Sequence, residues 1–522
     1  MSPPPTEPGA QEDVVEFLRT PGVIAPAGEP VAEIETHVSH VFLAGGRVLK
    51  LKRAVHLPYL DFSTVERRRA ACEAEVAINR RTAPDLYEGV VAVTREAGGG
   101  LALAGVGTPV DWMVEMRRFA EESLFDKRAV NGELRRVHMD DLADRIAAFH
   151  ADAPARPSAG GSAGIRMIVE NNAACLEAVA DEVLDRAAVE RLNAESLAAV
   201  EALADALEAR RAAGAVRHCH GDLHLRNICV FDGRPTLFDA IEFNIDFAEI
   251  DVLYDLAFVL MDLDHRGHAR LAGILFNRYL DVTGEVAERP GALAVMPLFL
   301  SMRAAVRAHV DATQALTLAD PEKRRRRAGE AGAYLDLALR YLCSDAPRLV
   351  AVGGLSGSGK SRLARELAPY LGTHPAARVV RTDAVRKRLA GVGQETRLGP
   401  DGYTADMHER TYAAFYREIE AGLAQGAPVI ADAVFPHPDQ RAAVAAVAAD
   451  AGVAFQGIWV EAPREVIEKR VRERQRNISD ATVEIVRQQL SYDLGVIDWA
   501  RVDSSGERDE TVAAGRRVLG LD

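Results

Sequence analysis

Cysteine is scarce and scattered in this 522-residue chain: Cys72, Cys175, Cys219, Cys229 and Cys343 are the only five. No two of them form a CxxC pair, which excludes a zinc knuckle or a redox dithiol and leaves small buried thiols in a reducing compartment. Long apolar runs are missing as well. The most apolar stretches, Leu253 to Met261 and Ala292 to Met302, stop well short of the ~18 residues that a spanning helix needs. The opening MSPPPTEPGAQEDV has no basic segment followed by an apolar core, so it does not read as a secretory signal. Positive charge is in deficit: 77 acidic residues stand against 63 basic ones, a net charge of −14, which argues against a nucleic-acid coat and makes nucleic acid the less favoured partner. No segment repeats at a solenoid period. The expectation is a cytoplasmic protein with no membrane partner.

What is present is globular, with 48% hydrophobic and 27% charged residues and length for about three domains of ~150 residues. Residues 1–30, rich in proline, glycine and acid, read mostly as a disordered tail around one short helix, Asp13 to Arg19. From Thr36 to Lys52, β-branched and apolar residues flank Ala44-Gly45-Gly46-Arg47, which predicts a hairpin with a tight glycine turn. A helical pattern covers Ser63 to Arg81, followed by strand patterns at Gly89 to Thr94, Leu101 to Leu103 and Asp111 to Arg117. Beyond Asp140 the chain is alanine-rich and helically periodic, interrupted by strand-like segments at His218 to Cys219, Ile228 to Phe231 and Thr236 to Asp239. A small β-rich lobe thus precedes a larger helical one. The basic run Lys323 to Arg327 sits in a helical pattern beside Glu322 and Glu330 and reads as a solvated helix face. A boundary falls at Cys343-Ser344-Asp345-Ala346-Pro347. After it, strand patterns at Leu349 to Val352, Val379 to Arg381, Val429 to Ala431 and Ile458 to Val460 alternate with helices, as in a parallel α/β sheet.

Gly354-Leu355-Ser356-Gly357-Ser358-Gly359-Lys360-Ser361 fits GxxxxGK[ST], between a strand pattern and a helical one. Glycines let backbone N–H groups turn inward around phosphate oxygens, Lys360 reaches the β- and γ-phosphates, and the Ser361 hydroxyl binds Mg²⁺. Asp383, at the end of the next strand, is placed to accept a proton from a substrate hydroxyl or to help hold the metal. Arg386, one helical turn on, is placed to hold an anionic substrate group. Asp432 closes Val429-Ile430-Ala431 as a candidate acid behind the metal. Arg470, Arg472, Arg474 and Arg476 crowd a helical stretch that suits a lid, with Arg474 taken as its catalytic member. On these residues the segment 346–522 resembles the P-loop small-molecule and polynucleotide kinases, including the zeta-toxin-like and gluconate-kinase-like groups, with an AAA-type ATP-binding domain as the wider class. The resemblance implies phosphoryl transfer from ATP to a hydroxyl and leaves the acceptor open.

His220-Gly221-Asp222-Leu223-His224-Leu225-Arg226-Asn227, followed by Phe238-Asp239, is a second constellation. Asp222 is placed to orient and deprotonate an acceptor hydroxyl, and Asn227 and Asp239 to supply oxygens to Mg²⁺. His220 reads as a brace of the loop. No cysteine or carboxylate is spaced to complete a zinc site with the neighbouring histidines. Here residues 31–343 resemble the aminoglycoside phosphotransferase family, whose fold is that of the protein kinases: HGDxxxxN matches its catalytic loop, and FDAIEFN stands in the place of its metal-binding strand. The resemblance implies that Val48 to Lys52 is the strand bearing the ATP-phosphate lysine. Lys50 is preferred, although Lys52 shares its face. Glu75 is the implied ion-pair partner, with Glu73 second, Trp112 to Arg117 the hinge strand, and Asp255 the structural acid beneath the catalytic loop. The paired Gly45-Gly46 is the only trace of a phosphate-covering loop.

The expected fold is therefore an α+β, protein-kinase-like bilobal domain followed by an α/β P-loop domain with a parallel sheet. The expected function is bifunctional ATP- and Mg²⁺-dependent transfer of phosphate to small hydroxylated molecules. In the alternative, the N-terminal domain is a nucleotide-binding regulatory module and only the P-loop domain is a kinase, acting on a small molecule or a polynucleotide 5′-hydroxyl.

Overall fold

The computed structural model describes residues 8–26, 28–57, 60–343, 346–372, 374–473 and 479–521. Packing divides the chain into two units. The first holds Met1–Leu134, Phe149–Pro154 and Arg217–Ile250, and the second Arg135–Ala148, Ala155–Val216 and Asp251–Asp522. Among the described residues no helix is long and apolar enough to cross a membrane.

The first unit is built on a six-stranded antiparallel sheet: β1 (Val31–Glu35), β2 (Ser39–Ala44), β3 (Arg47–Lys52), β4 (Tyr87–Arg95), β5 (Leu101–Leu103) and β6 (Thr108–Arg117), in the order β1-β2-β3-β6-β4-β5. The β2–β3 turn is tight because Gly45 takes φ +54° and Ala44 pairs directly with Arg47. Alternation along β3 sends Leu49 and Leu51 to one core and Val48 to the other. Helix α1 (Pro8–Arg19) covers the first face, burying Val14, Val15 and Leu18 against Phe42 and Met113. The sequence pattern predicts a helix here only over Asp13 to Arg19. Its few apolar residues lie at spacings of one and four, so they share one face of a helix and find a sheet to cover. Helix α2 (Val65–Asn79), capped by the Thr64 side chain accepting from the Arg67 amide, covers the second face with Cys72 and Val76. A second hairpin, β7 (Ile228–Phe231) and β8 (Arg234–Leu237), follows the HGD segment.

The second unit joins a helical lobe to a parallel sheet. The lobe comprises the start of α3 (Arg136–Asp152), then α4 (Gly161–Glu177), α5 (Arg186–Ala202), α6 (Ala204–Ala212), α7 (Val252–His265), α8 (Ala269–Thr283), α9 (Met296–Thr317) and α10 (Pro321–Leu342). Asp251 caps α7 by accepting from the Leu253 amide at 2.8 Å. The same carboxylate takes both ends of the buried Arg210 guanidinium at 2.8 Å, and Glu285 takes Arg210 from the other side. The basic run Lys323 to Arg327 lies in the first turns of α10, with Lys323 to Arg326 exposed as read and Arg327 bonded to Asp311.

The sheet contains β9 (Arg348–Gly353), β10 (Arg378–Arg381), β11 (Val429–Asp432), β12 (Ala454–Glu461) and β13 (Ala500–Asp503), all parallel, in the order β10-β11-β9-β12-β13. Its helices are α11 (Lys360–Leu367), α12 (Thr382–Leu389), α13 (Ala405–Ala424), α14 (Pro438–Asp450), α15 (Arg464–Arg472), α16 (Val483–Gln489) and α17 (Arg508–Leu519). Leu349 and Ala351 of β9 face a core with Phe415, Ile419 and Val444, while Val350 and Val352 face one with Leu363, Leu367 and Leu519. Both faces are covered, as a parallel sheet requires. Edge strand β10 is closed off by a side chain of the helical lobe: the Asn277 amide donates to the Ala377 carbonyl at 3.1 Å and accepts from the Val379 amide at 2.7 Å. It takes the place of a neighbouring strand.

Candidate active sites

In the first unit, Val48, Lys50 and Lys52 alternate onto the face of β3 that α2 covers. Glu75 of α2 receives Lys50 Nζ on Oε1 at 2.9 Å and Lys52 Nζ on Oε2 at 2.6 Å. Lys50 also donates to Asp239 Oδ1 at 2.5 Å, and Lys52 to Glu242. Burial opposes the charge on Glu75, but the two ammonium groups outweigh it and hold the carboxyl below its ordinary range. Asp239 is likewise held low, with Lys50 overcoming its burial. Glu242 goes the other way, because its burial is only partly answered by Lys52. Glu73 is exposed and pairs with Arg69.

Two contacts fix the backbone at Asp239, which takes φ +60°: its amide donates to Tyr87 Oη at 3.1 Å, and the Ala240 amide to Asn79 Oδ1 at 2.9 Å. The HGD loop is braced against the same segment. His220 Nε2 lies 3.0 Å from the Phe238 carbonyl, and the Ile241 amide donates to the His220 carbonyl. Gly221 has φ +82°, and a Cβ there would lie 2.9 Å from the Phe247 carbonyl oxygen, so only glycine fits. Asn227 Nδ2 donates to Asp222 Oδ2 at 2.9 Å and to its carbonyl at 3.0 Å. Asp222 remains about one-third exposed, with 37% of its side chain accessible. The structure thus joins Lys50, Lys52, Glu75 and Asp239 in one ion-pair cluster and Asp222 with Asn227 by hydrogen bonds. Trp112 to Arg117 falls in β6, hydrogen-bonded beside β3, and Asp255 is fully buried in α7 of the other unit.

In the second unit, β9 runs into the loop 354–359 and α11 starts at Lys360. Gly354, Gly357 and Gly359 take φ of 142°, 93° and 98°. A Cβ at Gly354 would stand 2.4 Å from the Val460 carbonyl oxygen, and one at Gly357 2.7 Å from Ile467 Cγ2. The Ser358 amide closes back on the Leu355 carbonyl, and the Ser356 amide donates to Gln489 Oε1 at 2.8 Å. Ser504 Oγ donates to the Ser358 carbonyl, and Arg470 Nη1 donates to Ser504 Oγ at 3.1 Å.

A cavity of about 390 Å³ opens over this loop. Gly357, Gly359, Lys360 and Ser361 line it with Arg136, Arg362, Arg365, Arg470 and Arg508, and among the described residues Glu473 is the one carboxylate in its wall. Burial, with Arg381 and Arg136 nearby, pushes the Arg365 guanidinium down to about 9. Asp432, at the end of β11, accepts from Arg381 Nε at 3.3 Å through Oδ2, while its buried Oδ1 has no hydrogen-bond partner. An orphaned carboxylate oxygen at a strand end is a donor suited to Mg²⁺ or to a water that Mg²⁺ holds.

Asp383 lies in the first turn of α12. Arg386 is buried, donating to the Gly402 carbonyl at 3.1 Å with its guanidinium 5.0 Å from the Tyr403 ring centre. Neither lines the cavity, nor does Asp432. Of the lid arginines, Arg470 reaches the cavity and Arg472 pairs with Glu468, whereas Arg474 and Arg476 lie outside the described residues. Sequence reasoning passed over Glu242, Gln489, Ser504, Arg365 and Arg136. Glu242 had a readable signal, a second acid three residues after Asp239; the others are gathered only by the fold.

Residues 62–290 match the phosphotransferase enzyme family, and residues 349–492 match an AAA domain. An uncharacterized protein of Mycobacterium tuberculosis is 30% identical over 497 residues, covering 93% of this chain and 94% of that protein. An adenylyl-sulfate kinase of Myxococcus xanthus is 33% identical over 115 residues, 22% of this chain and 57% of that protein. Among solved structures, a choline/ethanolamine kinase family protein of Mesorhizobium loti aligns over 62% of this chain and 99% of its own, at 15% identity and a TM-score of 0.37. This chain belongs to the same family as the mycobacterial protein, as a phosphotransferase-family domain of protein-kinase-like fold followed by a P-loop kinase-like domain.

Proposed function

We propose that the chain is a bifunctional ATP-dependent phosphotransferase with domains at residues 31–343 and 346–522, each passing the γ-phosphate to a hydroxyl of a small molecule. The observation that carries this reading is the P-loop cavity, whose wall, among the described residues, gathers basic side chains with only Glu473 against them, beside Gly357, where a Cβ would lie 2.7 Å from Ile467 Cγ2. Lys360 grips the β- and γ-phosphates, and Arg470 together with Arg474 neutralises the transferring group. Asp383 takes the acceptor proton, and Arg386 holds an anionic part of the acceptor. Ser361 and Asp432 would hold Mg²⁺, which when bound neutralises charge on the phosphates.

In the N-terminal domain, Lys50 positions the ATP phosphates. Lys50 is supported over Lys52 because it is the more accessible, 16% against 1%, and because it already reaches Asp239, whereas Lys52 is enclosed by Glu75 and Glu242. Asp222, oriented by Asn227, accepts the acceptor hydroxyl proton, and Asn227 and Asp239 would hold Mg²⁺. A second reading draws on the Lys50–Asp239 contact, in which the lysine occupies the metal-binding acid. In that reading the N-terminal domain binds nucleotide and regulates the P-loop kinase without turnover.

Transfer from γ-labelled ATP into a mixed panel of aminoglycosides, sugars, amino alcohols, nucleosides, adenylyl sulfate and oligonucleotides separates the two readings. If both domains are kinases, Asp222→Ala and Lys360→Ala abolish different products. If only Lys360→Ala silences labelling, the regulatory reading stands and Asp222 loses its catalytic role.

A further inference from the structure

One wall of the P-loop cavity comes from outside the P-loop domain. Arg136, the first residue of α3 in the helical lobe, lines the cavity with Lys360 and Ser361. Its Nε pairs with Asp140 Oδ2 one turn along the same helix at 2.9 Å, and its side chain stays one-third exposed. That pairing fixes the direction of the guanidinium while engaging only one of its nitrogens. The same corner is crowded with like charge: Arg365, one turn after Ser361 on α11, is pushed down by burial and by both Arg381 and Arg136, with Asp432 and Asp140 acting against them. A cation on the first residue of a helix also faces the positive end of the helix dipole. Neither the crowding nor the dipole placement gains anything inside the fold, and both are relieved by an anion in the cavity.

We propose that Arg136 is a phosphate-binding residue of the P-loop site, supplied by the helical lobe and contacting the terminal phosphate of the bound nucleotide. The inference rests on the P-loop reading above and adds to it that the site is complete only with the helical lobe in place. Lys360 spans the β- and γ-phosphates and Ser361 marks the metal, so a third group on their wall meets the γ end of the nucleotide. A guanidinium there supplies charge-assisted, planar hydrogen bonds to phosphate oxygens.

The test is calorimetric titration of the full chain with a non-hydrolysable ATP analogue and with ADP, both with Mg²⁺, following the binding event that Lys360→Ala removes. Arg136→Ala is expected to weaken the ATP analogue about tenfold while ADP changes by less than about twofold, as loss of one charge-assisted bond to the γ-phosphate requires. Arg136→Lys is expected to recover part of the loss. Arg136→Gln, which keeps the length of the side chain without its charge, repeats the measurement should the alanine variant melt early. Equal weakening of both nucleotides, or no change in either, overturns the role of Arg136. If Lys360→Ala removes no binding event, the P-loop reading itself falls and takes this inference with it.

Discussion

Glu75 gives one oxygen to each of two lysines and is itself fully buried, so its removal is more than the loss of one ion pair. Glu75→Gln leaves both ammonium groups to Asp239 and Glu242, and breaking a buried pair from one side costs about 3–5 kcal/mol. Urea unfolding followed by a probe in the first unit is expected to report a loss of that order at neutral pH. The pH dependence carries a defined sign. Glu75 is held below its ordinary 4.5, so its contribution is fully present above 4.5 and is lost as pH falls through the folded value. The gap between wild type and Glu75→Gln should therefore shrink on acidification below 4.5. Lys50 and Lys52 are both raised above their ordinary 10.5; their contribution persists up to that pH and is lost only as pH rises through the folded values. Glu242 runs against these, because its burial keeps the proton on longer than in the unfolded chain and its contribution declines as pH rises past 4.5. The two lysines separate in function as well. Lys50→Met is expected to weaken nucleotide binding at the N-terminal site at modest cost in stability, and Lys52→Met to destabilise the first unit with the smaller effect on nucleotide. Paired titration and melting measurements check both.

At the scale of single elements, the P-loop is held by what its glycines leave out. Gly357 takes φ +93°, and a Cβ there would lie 2.7 Å from Ile467 Cγ2 and 3.1 Å from the Ile467 carbonyl oxygen. Gly357→Ala must therefore push α15 away, and overpacking of this kind costs about 1–3 kcal/mol. Because α15 also carries Arg470, nucleotide binding at the P-loop site should fall by more than the melting temperature alone would imply, which titration beside thermal melting tests. This loop was legible from eight consecutive letters because its chemistry is local: the same residues make the turn and meet the phosphate. The β2–β3 hairpin and strands β9 to β12 were legible for the same reason, through turn glycines and short apolar runs. β13 was not, since Ala500–Asp503 is half polar and mostly exposed, with only Val502 buried in the sheet. Nor was the full length of α1, whose apolar face has meaning only once a sheet exists to receive it. Arg136, Gln489 and Ser504 reach the loop from elements far apart in the sequence, and no spacing rule connects them. Glu242 was missed for a different reason, because an acid beside a metal-binding strand reads as surface until Lys52 is seen to enclose it.

On the scale of the whole molecule, the helical lobe and the parallel sheet fall in one packing unit, and Arg378 at the start of β10 bonds to acids of both. Its guanidinium is fully buried, 2.6 Å from Asp281 of α8 and 2.6 Å from Glu418 of α13, and Nη1 lies 3.1 Å from Asn277 Oδ1. Burial opposes the charge on Glu418, yet Arg378 and Arg388 hold its carboxyl below the ordinary range. Arg378→Met strands Asp281 without its cation and leaves Glu418 with Arg388 alone, a loss of about 3–5 kcal/mol for a buried network broken from one side. Because one partner is on a lobe helix and the other on a sheet helix, the damage should not stay in the P-loop domain: amide exchange in α8 and in β10 should accelerate together. The triple change Arg378→Met, Asp281→Leu and Glu418→Met removes the stranded acids and should regain much of the loss, since apolar groups of similar size replace buried ion pairs at little cost. Arg388 loses its acid partner in that variant, which keeps the recovery short of complete. Exchange that accelerates in β10 while α8 stays protected would mean that the lobe and the sheet unfold separately. The helical lobe would then be a neighbour of the P-loop site rather than part of its support.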